Sequence, residues 1–204
     1  MCLLAVEDKL SEAVVRRILV GYAGSAKNSQ VVGGGGYGFL KANIFKYINA
    51  AQNVQPVFML TDLDQGRCPP TLIDHWFQGQ EIPPRFLFRV AVREVEAWLL
   101  ADREAFGAFL GISHAKIDRD VERISGPKEY VLNLARKSRG AVRRELVPAK
   151  GAVASQGFGY NACLGNFVEK EWSPERASEN SSSLKKTLIR TEAWVKQFVT
   201  IDKV

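Results

Sequence analysis

The chain has 204 residues, a formal net charge of +6 and a pI ≈ 9.3, with 46% apolar and 25% charged residues. These values exclude a disordered chain, a collagen-like repeat and a disulfide scaffold, and the length suits one domain with a proper core. Residues 1–118 carry 12 Lys+Arg against 12 Asp+Glu, residues 119–150 carry 9 against 4, and residues 151–204 carry 7 against 6, which excludes a uniformly basic coat and leaves a local anion-facing patch.

Leu3-Leu4-Ala5-Val6 reads as a short buried strand. Residues 11–20 follow as a helix, with Ala13, Val14 and Ile18 on one face and Arg16 and Arg17 on the other. A second short strand is expected over 29–32, ending in Gly33-Gly34-Gly35-Gly36, and one helix over 39–51. Val57-Phe58-Met59-Leu60 is another buried strand, stopping at Thr61-Asp62-Leu63-Asp64. Pro69-Pro70 opens a helix through Trp76 and Phe77. A strand over 86–92 and a single helix over 95–110 complete this half. Strands without period-2 alternation, separated by helices, predict an α/β fold: an open, mostly parallel sheet with helices on both faces. We assign residues 1–112 to this α/β core and 113–204 to a mainly helical extension packed on it as one compact unit. In the extension, Gly126-Pro127 starts a helix and 148–161 reads as a loop; further helices are expected over 167–172, 174–178 and 184–199.

Cys2–Val6 is too short and too soon followed by Glu7 and Asp8 for a signal peptide, and no apolar run approaches a membrane span. Three scattered cysteines (Cys2, Cys68, Cys163) and two isolated histidines (His75, His114) argue against a disulfide framework, a zinc site or a Ser-His-Asp triad. A cytoplasmic protein with reduced thiols is expected.

In open α/β sheets ligands bind outside the carboxyl ends of the strands. Glu7, Asp62, Asp64 and the pair Glu94/Glu96 all fall there. Hard cations such as Mg2+ or Mn2+ take oxygen ligands and are held by one or two carboxylates plus substrate phosphate. Asp62 and Asp64 are therefore expected metal ligands, with Glu7 as general acid/base or co-ligand. The bland alternative makes the two aspartates turn formers and Glu7 a helix-entry charge.

This arrangement resembles the Toprim fold, in which a Glu follows the first strand and Asp-x-Asp the third. The whole chain is similar to the Toprim-like DUF4276 proteins of bacterial genomes. Five segments carry the resemblance: Val6-Glu7-Asp8-Lys9-Leu10-Ser11-Glu12; Gly35-Gly36-Tyr37-Gly38; Leu60-Thr61-Asp62-Leu63-Asp64; Val92-Arg93-Glu94-Val95-Glu96-Ala97-Trp98-Leu99-Leu100-Ala101-Asp102; and Trp172-Ser173-Pro174-Glu175-Arg176-Ala177. The resemblance implies a Toprim-like core related to OLD-type and RNase M5-type nucleases. It also implies an ATPase partner in bacterial defence-like operons. By the same resemblance Glu96 is preferred over Glu94 for the site, and Glu12 fills the place of a second acid. On one helix Glu94 and Glu96 cannot share a face, so one is expected at the site and the other in solvent or paired with Arg89 or Arg93. Asp8 stands where the Toprim pattern has Gly.

Two other motifs compete. Gly33-Gly34-Gly35-Gly36-Tyr37-Gly38 matches a dinucleotide fingerprint, but it follows a short polar strand that is not the first, and no Gly-Lys-Ser/Thr makes it a P-loop. It reads as a mobile loop near the site, with Lys41 close enough to help hold phosphate. The strand leading into Asp62-Leu63-Asp64 also resembles the first motif of haloacid-dehalogenase-type phosphatases, where the first Asp is the nucleophile. No Asp-Asp follows to complete that metal site.

Lys128, Arg136, Lys137, Arg139, Arg143 and Arg144 form the basic stretch, expected to track a nucleic-acid backbone, with Tyr130 and Tyr160 stacking on exposed bases. The alternatives are a solvated helix face or an acidic partner protein. The expected activity is Mg2+- or Mn2+-dependent phosphodiester hydrolysis, with a non-catalytic or partner-dependent subunit as the alternative.

Overall fold

A computed structural model describes residues 1–23, 29–138 and 140–199. Four parallel strands, β1 (Leu3–Val6), β2 (Gln30–Gly33), β3 (Val57–Asp62) and β4 (Phe86–Ala91), form one open sheet in the order β2-β1-β3-β4. Val6 pairs with Leu60 and Asp62 with Ala91, so the carboxyl ends of β1, β3 and β4 lie side by side.

The pleat sorts the strand residues onto two faces. Leu4, Val6, Phe58, Leu60, Leu87 and Ala91 face one core; Leu3, Ala5, Val57, Met59, Phe86, Phe88 and Val90 face the other. Both faces are covered, which is why the strands read as unbroken apolar runs. Each fully buried Leu or Phe contributes roughly 1.5–3 kcal/mol.

Helices α2 (Gly36–Ala42), α3 (Ile44–Asn53) and α4 (Pro69–Phe77) supply the second core. The first core is larger. It takes α1 (Lys9–Ala23), α5 (Val95–Ala101) and α6 (Arg103–Leu110), and then the extension: α7 (Pro127–Ala135), α8 (Ala141–Leu146), α9 (Tyr160–Lys170), α10 (Pro174–Ser178) and α11 (Ser182–Phe198). The extension thus thickens one face of the sheet and shares its core with residues 1–112. Buried α5 is its anchor: Trp98 Nε1 donates to Ser183 Oγ (2.7 Å), and Trp172 Nε1 donates to the Trp98 carbonyl (3.1 Å).

Two expected helices are broken. The 39–51 helix divides at Asn43, whose side-chain amide turns back to the Phe39 carbonyl (2.9 Å). The 95–110 helix divides at Asp102, a buried carboxylate that leaves the helical path to accept from the Ser173 amide (2.9 Å) and from Arg176 (2.7 Å). Helix α8 was not expected at all. The Phe167 helix begins earlier than expected, at Tyr160. Among the described residues, no helix is long and apolar enough to cross a membrane.

Candidate functional site

The parallel sheet brings Glu7, Asp62, Asp64, Glu94 and Glu96 to one end. Glu7 directly follows β1 and stays half-buried, because its carboxylate bridges to β3. Its Oε1 accepts from Thr61 Oγ1 (2.5 Å) and from the Asp62 amide (2.9 Å). Asp62 closes β3, and its Oδ1 accepts the Val95 amide at the start of α5 (2.9 Å), one of the donors a helix leaves unpaired. Asp64 is exposed, in a left-handed backbone conformation (φ 48°). Arg93 holds that turn: its carbonyl accepts from the Leu63 and Asp64 amides, and its guanidinium donates to the Asp64 and Gly66 carbonyls.

Glu94 and Glu96 are both engaged at this end, against the expectation that one points to solvent or is salt-bridged. Glu94 is not on the helix. It is the extended residue before α5, and its Oε2 accepts the Lys128 amide (2.7 Å). Glu96 lies in the first turn, 5% exposed, and accepts from the Tyr160 hydroxyl (2.9 Å). Arg93 grips backbone carbonyls as described, and Arg89 donates to Thr187 (3.1 Å); among the described residues neither pairs with a glutamate.

The electrostatics follow from crowding. Burial pushes the Asp62 carboxyl well above its ordinary range, and Glu96, Glu7, Asp64 and Asp8 push the same way. Glu96 is pushed up to about 7, first by burial and then by Glu94. Burial also raises Glu7 and Glu94, more than the hydrogen bonds to them lower them, and partial loss of water around its carboxyl raises Asp64, exposed as the residue is. Among the described residues, one oxygen of each of Glu7, Asp62 and Glu94 accepts no hydrogen bond from the protein. Lys128 brings positive charge to Glu94 and Glu96, and its ammonium lies 5.3 Å from the Tyr160 ring centre.

The donor set fits a hard divalent cation in its chemistry, since every group offered is a carboxylate oxygen. Its arrangement is not a closed cage: among the described residues, no three His, Cys, Asp or Glu are placed to hold one metal ion. An Mg2+ ion needs only one or two carboxylates, with water and substrate phosphate completing its shell.

The other expected site residues are distributed as follows. Glu12 is engaged elsewhere: burial raises its carboxyl, but ion pairs with Arg16 (2.9 Å) and Lys9 (3.0 Å) outweigh this and bring it below the ordinary range. Lys41 reaches across to His75 on α4. The glycine run is split between the end of β2 and the first turn of α2, and the Gly36 amide is spent on the Glu7 carbonyl (3.2 Å). Arg136 pairs with Asn133 just past α7; Lys137, Arg143 and Arg144 are exposed; Arg139 lies outside the described residues.

Of the two tyrosines, Tyr160 cannot stack on a base, whereas Tyr130 is only partly buried. Tyr160 is fully buried, and the Tyr130 hydroxyl is fixed between the Asp118 amide (3.0 Å) and the Lys116 carbonyl (3.1 Å). The Lys128–Tyr160–Glu96 contact was missed by sequence reasoning, because nothing local links residues that lie 32 and 64 positions apart. No family model, no curated protein and no solved structure matches the chain, so the reading of the site rests on its own residues.

Proposed function

We propose that the chain hydrolyses phosphodiester bonds of nucleic acid with the help of Mg2+ or Mn2+ at the carboxyl ends of β1 and β3. The observation that supports this most is the crowding of Asp62 among Glu7, Asp64 and Glu96 with carboxylate oxygens left without donors. Such crowding is costly, and a bound cation offsets it. Asp62 and Asp64 would hold the ion, with Glu96 near them. A bound cation supplies charge neutralisation on phosphate and a more acidic water. Glu7 accepts the proton of the attacking water as the new P–O bond forms and the bond to the leaving oxygen breaks; that oxygen is protonated from solvent. Lys128 offers its ammonium to the phosphate. The resemblance to Toprim-type nucleases supports the same chemistry. A cytoplasmic setting fits the three free thiols.

A second reading has some support. Phe39 and Phe45, on α2 and α3, are about half exposed, as a subunit that docks on an ATPase would require.

The test is incubation of purified protein with single- and double-stranded DNA and RNA, with Mg2+, Mn2+ or chelator. Cleavage is expected with metal and is expected to fall at least a hundredfold in Asp62→Asn and Glu7→Gln. Cleavage that survives both substitutions overturns the assigned site. No cleavage of any substrate favours the docking subunit. Turnover of a phosphomonoester but no nucleic acid would point instead to a haloacid-dehalogenase-type phosphatase.

A further inference from the structure

Phe158 is as exposed as in an open peptide, at 111%. It sits in a turn between Gly157 and Gly159, directly ahead of α9. That turn is pressed against the end of α8. The Gly157 amide donates to the Leu146 carbonyl (2.8 Å). A Cβ on Gly157 would lie 2.1 Å from the Glu145 carbonyl oxygen, and one on Gly159 would lie 1.8 Å from Glu145 Oε2. Backbone contact admits only glycine at 157, whereas a side chain at 159 would have to displace the exposed Glu145 carboxylate, so the ring is carried outward on a turn held against α8.

In the chain the position is close to a residue of the carboxylate site. Two residues of chain, at most about 7 Å, separate Phe158 from Tyr160, whose hydroxyl touches Glu96. The Glu145 carboxylate lies beside Gly159, exposed Arg143 and Arg144 precede Glu145 in α8, and the Lys128 ammonium lies over the Tyr160 ring. A phenylalanine wholly in water gains nothing from burial. What it offers is a flat face, and base–aromatic stacking accepts any base. The Lys128 ammonium over the Tyr160 ring offers a partner for a phosphate of the same strand.

We propose that Phe158 is a stacking platform for an unpaired base of the strand whose phosphate enters the carboxylate site. The substrate is then single-stranded or locally opened nucleic acid, not continuous duplex. This inference rests on the phosphodiesterase reading above and adds a specificity-determining residue to it.

The experiment measures binding by fluorescence anisotropy in chelator, where no cleavage competes. The probes are a labelled single-stranded oligothymidylate and an abasic oligonucleotide of equal length. Phe158→Ala is expected to weaken oligothymidylate binding roughly 5- to 100-fold, while Phe158→Trp keeps it. On the abasic strand, wild type and Phe158→Ala are expected to bind alike. Unfolding temperatures are expected to match, since the side chain packs against nothing. Equal weakening on both strands, or none on either, overturns the proposal. If wild type still cleaves nucleic acid while Phe158→Ala binds unchanged, only the stacking role falls. If wild type binds no nucleic acid at all, the phosphodiesterase reading falls and takes this one with it. If Phe158→Ala leaves oligonucleotide binding unchanged but shifts the protein's elution to a smaller species, Phe158 belongs to a contact between copies and the stacking role is overturned.

Discussion

At Asp62 the charge is opposed by burial and by the carboxylates of Glu96, Glu7, Asp64 and Asp8. An asparagine there keeps an oxygen for the Val95 amide and removes the charge. Asp62→Asn is therefore expected to stabilise the metal-free protein by at least about 1 kcal/mol while abolishing cleavage, a trade common at functional sites. For a chain of this size that raises Tm by about 2–4 °C, measured by thermal unfolding in chelator. Tyr160→Phe should act in the opposite sense. It leaves a buried Glu96 oxygen without its donor and should cost about 1–3 kcal/mol in a denaturant titration. Glu7, Asp62 and Asp64 were legible in the sequence because apolar runs mark strand ends and acids stand directly after them. Glu94 was not. Helical geometry separates it from Glu96, and only its extended backbone, ahead of α5, lets both glutamates work at one end. Phe158 was hidden in a stretch of Gly, Ala and Ser that reads as featureless loop.

The longest helix of the extension, α11, depends on a carboxylate from outside it. Glu122 accepts from the Ser181 hydroxyl (2.7 Å), the Ser182 hydroxyl (2.8 Å) and the Ser183 amide (2.7 Å). It thereby caps the helix start, where anionic charge is favoured. Burial raises the Glu122 carboxyl, but these hydrogen bonds outweigh it and bring it below the ordinary range. A depressed folded value means the stabilisation is present above the unfolded value, about 4.3 for Glu, and is lost as pH falls through the folded one. Denaturant unfolding between pH 6 and pH 3 should therefore lose less stability in Glu122→Gln than in wild type. At pH 7, Glu122→Ala should cost about 2 kcal/mol. Parallel slopes for wild type and Glu122→Gln would contradict the cap. At this scale the sequence exposed apolar runs well and interruptions badly. Asn43 and Asp102 both end helices through side-chain contacts, and Asp102 does so with partners 71 and 74 residues away. Helix α8 escaped notice because Val142 and Leu146 are the only strongly apolar residues in its six.

Over the whole molecule the charge is divided. The half that carries the carboxylates is neutral by count, and the surplus belongs to residues 119–150. That stretch meets the acids at its start, where the Lys128 amide binds Glu94. Arg136 and Lys137 follow the far end of α7, about 13 Å along the nine-residue helix axis. Helix α8 then returns its end to the turn before Tyr160. Nucleic-acid binding should weaken steeply with salt, and replacing Arg143 and Arg144 together by Ala should flatten the slope of log K against log salt by about 1.4 on a single strand. An unchanged slope would return these arginines to the role of a solvated helix face. At this scale the crowded carboxylates are proposed to form a cation site. Titration of Mn2+ into the protein with a non-cleavable oligonucleotide, followed by electron paramagnetic resonance, tests it most directly. Bound Mn2+ is expected in wild type, with its loss in Asp62→Asn and Asp64→Asn. Mn2+ bound equally by wild type and both variants, or by none of them, would contradict it.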